Sequence, residues 1–258
     1  MRVAALYDIH GNLPALEAVL DVIHQAAVDA VVVGGDVVPG PMPRESLRLL
    51  LELDRAVHFI HGNGELAMLA QMTAPTEDAV TYWGTTSGAR PPEPVREVYR
   101  WTARQLRPDY ESELASWPRI LRLDVDGLGG VLFCHGTPRS ETEIFTRLTP
   151  EERLVPLFDG LQVSLAICGH THMQFDRQIG RTRVVNAGSV GMPFGTTGAC
   201  WIVLGPGVQL QQTSYDLAQA AERIRATSYP QAEEFAVRNV LSAPSETEML
   251  EAFRRAEL

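Results

Sequence analysis

The 258-residue chain is short of the features that mark secreted scaffolds, membrane proteins and polynucleotide binders. Cysteine is scarce: Cys134, Cys168 and Cys200 are odd in number, far apart and without C-x-x-C spacing, which points to a reducing compartment and not to a disulfide framework. No apolar run reaches the roughly 18 residues that a membrane-spanning helix needs. The N-terminus leads straight into a strand, with no apolar segment after a basic start, and a cytoplasmic location is expected. Positive charge is in deficit, 22 Lys and Arg against 32 Asp and Glu, for a net charge of −10. A surface of that sign repels phosphate backbones, so stable nucleic-acid binding is not expected. A small anionic substrate could still bind at a local cationic site, such as one supplied by divalent metals. Internal repeats and low-complexity linkers are missing too.

What is present is the composition of a globular protein, 45% hydrophobic and 21% charged, with enough apolar residues for a sizeable core. The first third alternates strand and helix. Residues 2–7 form a continuous apolar run, as in a strand covered on both faces. Asn12 is a good N-cap with Pro14 in the first turn, and Leu13, Leu16, Val19, Leu20 and Ile23 form a helical stripe. Residues 30–33 run into Gly34-Gly35-Asp36, a short helix fits 44–53, and residues 56–60 lead to Gly62-Asn63. Such repeats imply a parallel sheet with right-handed crossovers. Residues 73–95, rich in Thr, Pro and Gly, read as a loop or lid insertion. Helical patterns return at 96–106 and 108–116. A hairpin signal covers 121–125 and 130–134, and further strands fit 163–168, 174–179, 182–186, 199–204 and 208–213. The last forty residues look mostly helical. The expected class is α/β: two mixed β-sheets packed together with helices outside.

Several apolar runs finish in polar residues. Residues 3–7 end in Asp8-Ile9-His10, residues 31–33 in Gly35-Asp36, and residues 59–60 in Gly62-Asn63. Residues 132–134 end in His135-Gly136, and residues 165–168 in Gly169-His170-Thr171-His172. Singly, each is an ordinary cap or turn residue, and G-D and G-N are common turn dipeptides. Jointly they are more telling, because the carboxyl ends of parallel strands line one sheet edge, where ligands bind. Imidazole and carboxylate together suit Zn, Mn, Fe and similar divalent ions. Seven candidate side chains exceed one tetrahedral site, whereas two metals sharing a bridging carboxylate would use them all. Asp8 and His10, two residues apart, should point the same way if the segment is extended.

In this order, D-x-H, G-D, G-N, H and G-H-x-H resemble the calcineurin-like metallophosphoesterase superfamily, as do Asn186-Ala187-Gly188-Ser189 and Cys134-His135-Gly136-Thr137-Pro138-Arg139. The likeness spans roughly residues 1–205. It implies a four-layer α/β/β/α sandwich forming a single domain over 1–258, with a helical extension at about 214–258. It further implies that Asp8, His10 and His172 hold one metal, that Asn63, His135 and His170 hold the other, and that Asp36 bridges them. Mn, Fe, Zn, Ni and Co all suit such ligands, with Mn expected to support activity best. The chemistry implied is phosphate-ester hydrolysis by a metal-bound hydroxide, with Asp36, Asn63, His135 and Arg139 at the reacting centre. One departure stands out: many members read G-N-H, but here Gly64 follows Asn63. A lost general acid typically costs on the order of 10²–10⁴ in rate. Small members without that His tend toward phosphodiesters, so these are the expected substrates, nucleotide-like ones among them. The alternatives are a phosphomonoesterase or dinucleoside polyphosphate hydrolase, or a non-catalytic metal-binding interaction protein of the same fold. Self-association is left open.

Other residues carry plainer expectations. His61 reads as a packed histidine, Cys134 and Cys168 as core residues, and Glu151-Glu152 and Glu233-Glu234 as solvated helix faces. Tyr82 and Trp83 either anchor their loop or cover the site. Arg139 either reaches a phosphate or lies on the surface. His24 and His58 have no evident partner.

Overall fold

In a computed structural model that describes residues 1–106 and 108–256, the apolar run after the N-terminus becomes a central strand. In chain order the strands are β1 (Val3–Leu6), β2 (Ala30–Val33), β3 (Ala56–Phe59), β4 (Ile120–Val125), β5 (Gly129–Cys134), β6 (Leu165–Cys168), β7 (Phe175–Ile179), β8 (Thr182–Asn186), β9 (Ala199–Leu204) and β10 (Val208–Thr213). They form two five-stranded mixed sheets, ordered β10-β9-β1-β2-β3 and β4-β5-β6-β8-β7. The middle of each sheet is parallel: Ala4 pairs with Val31 and Val31 with Val57 in the first, Leu132 with Ala166 and Ala166 with Val184 in the second. Antiparallel strands flank them.

The helices are α1 (Leu13–Gln25), α2 (Pro43–Leu51), α3 (Asn63–Thr73), α4 (Glu93–Leu106), α5 (Glu111–Ser116), α6 (Glu151–Phe158), α7 (Leu217–Arg225), α8 (Ala232–Phe235) and α9 (Glu246–Arg254). α1 starts where the sequence places it: the Ala15 N–H donates to Asn12 Oδ1 at 3.3 Å, and Leu16, Val19, Leu20 and Ile23 are buried. α4 ends at Leu106, two residues before Pro108, and residues 108–110 form a turn, not the predicted helix. The Tyr110 N–H donates to Leu106 O at 3.1 Å, so the backbone closes a turn there before α5 begins.

Burial explains the layering. Ala5, Tyr7 and Val32 from the first sheet meet Phe133, Ile167 and Val185 from the second in one cluster. The opposite face of the first sheet packs Ala4, Val31 and Val33 against Leu16, Leu47 and Met68 of α1–α3. The opposite face of the second packs Leu132, Ala166 and Val184 against Leu154 and Phe158 of α6. This is the expected α/β/β/α sandwich. The C-terminal helices form another cluster, in which Ala221 and Ile224 of α7 and Phe235 of α8 pack with Val98 of α4. Residues 257–258 of the expected extension lie outside the described residues.

Phe133 is fully buried between the sheets. Phe133→Ala is expected to lower stability by about 3–5 kcal/mol, measured as a shift in the urea unfolding midpoint at unchanged m-value.

Candidate metal centre

The chain turns sharply where the strands stop. Among the described residues six non-glycine positions have positive φ, and five of them are Asp8 (54°), His10 (48°), Asp36 (53°), His170 (67°) and His172 (58°). Left-handed backbone costs an L-residue about 1–3 kcal/mol and persists only where surrounding structure imposes it. Here backbone pairing imposes it. Beyond the strands, Asp8 N donates to Gly35 O (3.0 Å) and His10 N to Asp36 O (2.9 Å). This corrects one expectation: Asp8 and His10 do not share a face through an extended pleat. The segment is bent at both residues, and the bends bring the two side chains together.

Two groups result. The ligand atoms of Asp8, His10 and His172 lie within 4.8 Å of one another, and so do those of Asp36, His135 and His170. His172 Nε2 is 3.2 Å from Asp8 Oδ1 and 3.2 Å from His10 Nε2. Asp36 Oδ2 lies between the groups, 3.8 Å from His10 Nε2 and 3.5 Å from His135 Nε2. Asn63 joins through its Oδ1, 3.0 Å from His135 Nε2, while its Nδ2 donates to the Gly84 carbonyl at 3.0 Å.

Ring orientation is fixed from behind. The Nδ1 atoms donate to backbone carbonyls: His10 to Pro39 (3.3 Å), His135 to Gly34 (2.9 Å) and His172 to Met192 (2.8 Å). With Nδ1 committed to a carbonyl, His10 and His172 each turn Nε2 toward Asp8. Two imidazole nitrogens and a carboxylate oxygen converge at these distances, as donor atoms do around a cation. Asp8 Oδ1 and His170 Nε2 are also buried without a hydrogen-bond partner, a costly condition that coordination would relieve. The donor set therefore fits divalent cations.

The charges interlock. Burial works against ionisation of Asp8 and Asp36, but His172 and His135 near the first, and His135 near the second, hold both carboxyls below their usual range. Burial alone would lower the His135 pKa, yet Asp36 and Asp8 push it up to about 10. His170 is held down to about 4 by burial, with His135 adding repulsion. Burial likewise lowers His10.

A model of the calcineurin-like phosphoesterase superfamily domain matches residues 1–205. The chain belongs to this superfamily. It is 24% identical over 249 residues to an uncharacterized protein of Methanocaldococcus jannaschii, covering 89% of this chain and 94% of that one. Its fold is that of a hypothetical protein from Pyrococcus horikoshii, with a TM-score of 0.76, 20% identity, and coverage of 95% and 99% of the two chains. A metallophosphoesterase from Sphaerobacter thermophilus superposes with a TM-score of 0.68 at 24% identity over 93% and 100%.

Seen as a superfamily fold, the centre has supports that the sequence reading left without a role. Glu65 is fully buried, and its carboxylate accepts four backbone N–H groups: Gly62 (2.8 Å), Asp36 (2.8 Å), Val37 (2.7 Å) and Val38 (3.2 Å). Burial and the neighbouring Asp36 push its pKa up to about 7, opposed by those N–H groups. The signal for its helix-capping half was available, since a Glu at the third helical position often reaches back to the cap N–H. Asn186 ties down the histidine loop, donating to Gly169 O (2.6 Å) and Thr171 Oγ1 (3.1 Å). Ser189 donates to the Asp8 carbonyl at 2.6 Å. Gly64 donates its N–H to Asp36 Oδ1 at 2.7 Å, and a Cβ there would collide with the Val38 carbonyl oxygen. The backbone thus leaves no room for a side chain at 64.

The remaining candidates lie outside the cluster. Arg139 is 62% exposed and paired with Glu143, Nε to Oε1 at 2.6 Å. His61 is buried, Nε2 donating to Leu114 O at 2.6 Å. Tyr82 donates to Glu141 at 2.6 Å, and Trp83, 6% exposed, stacks on Tyr99. Cys134 and Cys168 are core residues.

Glu65→Gln replaces an acceptor oxygen by a donor facing buried N–H groups. It is expected to cost about 1–3 kcal/mol in thermal or urea unfolding, and to reduce bound metal per chain in elemental analysis.

Proposed function

We propose that the chain is a dinuclear metal-dependent phosphoesterase acting on phosphodiesters. The observation that carries this reading is the buried, unpartnered Asp8 Oδ1 at 3.2 Å from His172 Nε2, with Asp36 between the two ligand groups. On this reading Asp8, His10 and His172 hold one cation, Asn63, His135 and His170 hold the other, and Asp36 bridges. Bound divalent cations supply Lewis acidity and lower the pKa of bound water. The protein's part is to hold the ligands in register and to keep their tautomers fixed through the carbonyls behind them. His, Asp and Asn donors suit Mn, Fe, Zn, Ni and Co alike, and Mn is proposed as the ion that best supports turnover.

Gly64 supports the diester preference. With no imidazole there, protonation of a poor leaving group loses an aid worth on the order of 10²–10⁴ in rate. Diesters with stabilised leaving groups lose least. Phosphomonoesters and dinucleoside polyphosphates are the runner-up substrates. Arg139 takes part only if its side chain leaves Glu143. The same reading takes residues 1–258 as one domain, in which the 73–95 insertion and the C-terminal helices border the centre. The carbonyl of Gly84 on Asn63 Nδ2, and the packing of Val98 with Phe235, support that arrangement.

Two outcomes are expected. With Mn²⁺ the protein hydrolyses bis(p-nitrophenyl) phosphate faster than p-nitrophenyl phosphate, and Asp36→Asn removes both activities. Undiminished hydrolysis in that variant, or after exhaustive chelation, would count decisively against the proposal. The His135 pKa near 10 further means that this imidazole is protonated at neutral pH before loading. A ligand must be neutral, so loading displaces that proton and weakens as pH falls. Calorimetric titration of Mn²⁺ in buffers of different ionisation enthalpy should register release of about one proton per chain, lost in His135→Asn.

A further inference from the structure

Beside the metal centre a cavity of about 410 Å³ opens on His10. Its walls come from outside the strand ends. Val95, Val98 and Tyr99 of α4 form one side, and residues 229–249, past the part of the chain that matches the superfamily model, form another.

The lining has two kinds of groups. Four aromatic residues are part of the lining: Tyr99, Phe194, Tyr229 and Phe235. They are held by packing. Phe194 stacks on His172 (4.8 Å, 24°), Tyr229 meets Phe235 edge-on (6.1 Å, 90°), and the Tyr99 hydroxyl donates to Trp83 O at 3.2 Å. The aromatic lining thus includes a ring stacked directly on a candidate ligand imidazole. The other groups are polar. Among the described residues, the carboxamides of Gln231 and Asn239 make no hydrogen bond within the chain, and each offers a donor beside an acceptor. Glu234 and Arg238 add one charge of each sign.

We infer that this cavity receives a planar heteroaromatic group of nucleobase size, carried by a phosphate ester held at the metal centre. The inference rests on the phosphoesterase reading and names its substrate class. The volume falls within the roughly 300–1,000 Å³ of small-molecule sites and far exceeds the needs of a lone phosphate. Rings stack on any base face, and a carboxamide matches the paired donor and acceptor on a base edge. An alkyl arm would leave both carboxamides unmatched. A polyphosphate arm would call for a basic lining, and here Arg238 already lies 3.6 Å from Glu248 while Glu234 adds negative charge.

The test compares adenosine 5′-monophosphate, ribose 5-phosphate and inorganic phosphate by calorimetric titration, with and without Mn²⁺. The base-bearing probe is expected to bind more tightly than ribose 5-phosphate by about tenfold or more, the size of one base–aromatic stack. The half-buried residues Val95 and Met249 allow the cavity to be filled from two walls, so that one misfolded variant does not end the test. Val95→Trp and Met249→Trp should each erase that advantage while leaving phosphate binding in place. Equal affinity for the two sugar phosphates, or an advantage that survives both substitutions, overturns the inference. An intact advantage in a protein that hydrolyses no phosphate ester supports the pocket and overturns the catalytic reading alone.

Discussion

Two carboxylates, Asp8 and Asp36, are buried within one small volume, and most of what surrounds them compensates for that. Neither is left to solvent: one oxygen of each is taken by a backbone N–H, from His170 and Gly64 respectively. The other oxygen of each is turned toward imidazoles. Charge buried this deeply requires opposite charge or a full set of donors close by. The residues that supply it come from three strands of one sheet and two of the other, so the sandwich must close for the site to exist. Any cation held by these groups would have its binding coupled to that closure.

The layered architecture makes the convergence cheap. Parallel strands end on the same side, and packing β1–β3 face to face with β5 and β6 brings two such edges together. Small residues keep the approach close. Gly64 lies against the Val38 carbonyl and Gly62 against the Asp36 carboxylate, at distances that no larger residue permits. Glu65 then fixes the Asp36–Val38 backbone from beneath. The positions of the charged groups are in this way set by main chain, which is stiffer than long side chains.

Much of the fold was legible because hydrophobic runs and their breaks are local signals. The α1 stripe, the Asn12 cap, the β4–β5 hairpin and the order of the strands all followed from residues a few positions apart, whereas α3 (Asn63–Thr73) was not placed. The seven candidate ligands were legible for a related reason: each interrupts an apolar run at its end. What stayed hidden depends on partners distant in sequence. Glu65 acts on N–H groups 27 to 29 residues away as well as on its own helix cap. The bends at Asp8 and His10 answer to a neighbouring strand end, and no short-range pattern specifies them. The fixed partners of Arg139 and Tyr82, Glu143 and Glu141, lie on one loop whose path depends on tertiary packing. The cavity beside His10 needs α4 and the C-terminal helices to dock, and nothing in either segment alone foretells it.

The left-handed turns have a bearing on how such a site drifts. At those five positions the main chain tolerates glycine, asparagine, aspartate and histidine far better than branched or bulky residues. Three of those four side chains are also metal donors. A lineage that ceased to use its cations would remain confined to this narrow alphabet by conformation alone. Its inheritance would keep the look of a binding site long after selection for chemistry had lapsed, and decay would show first at Asn63 and His135, whose backbones carry no such restriction.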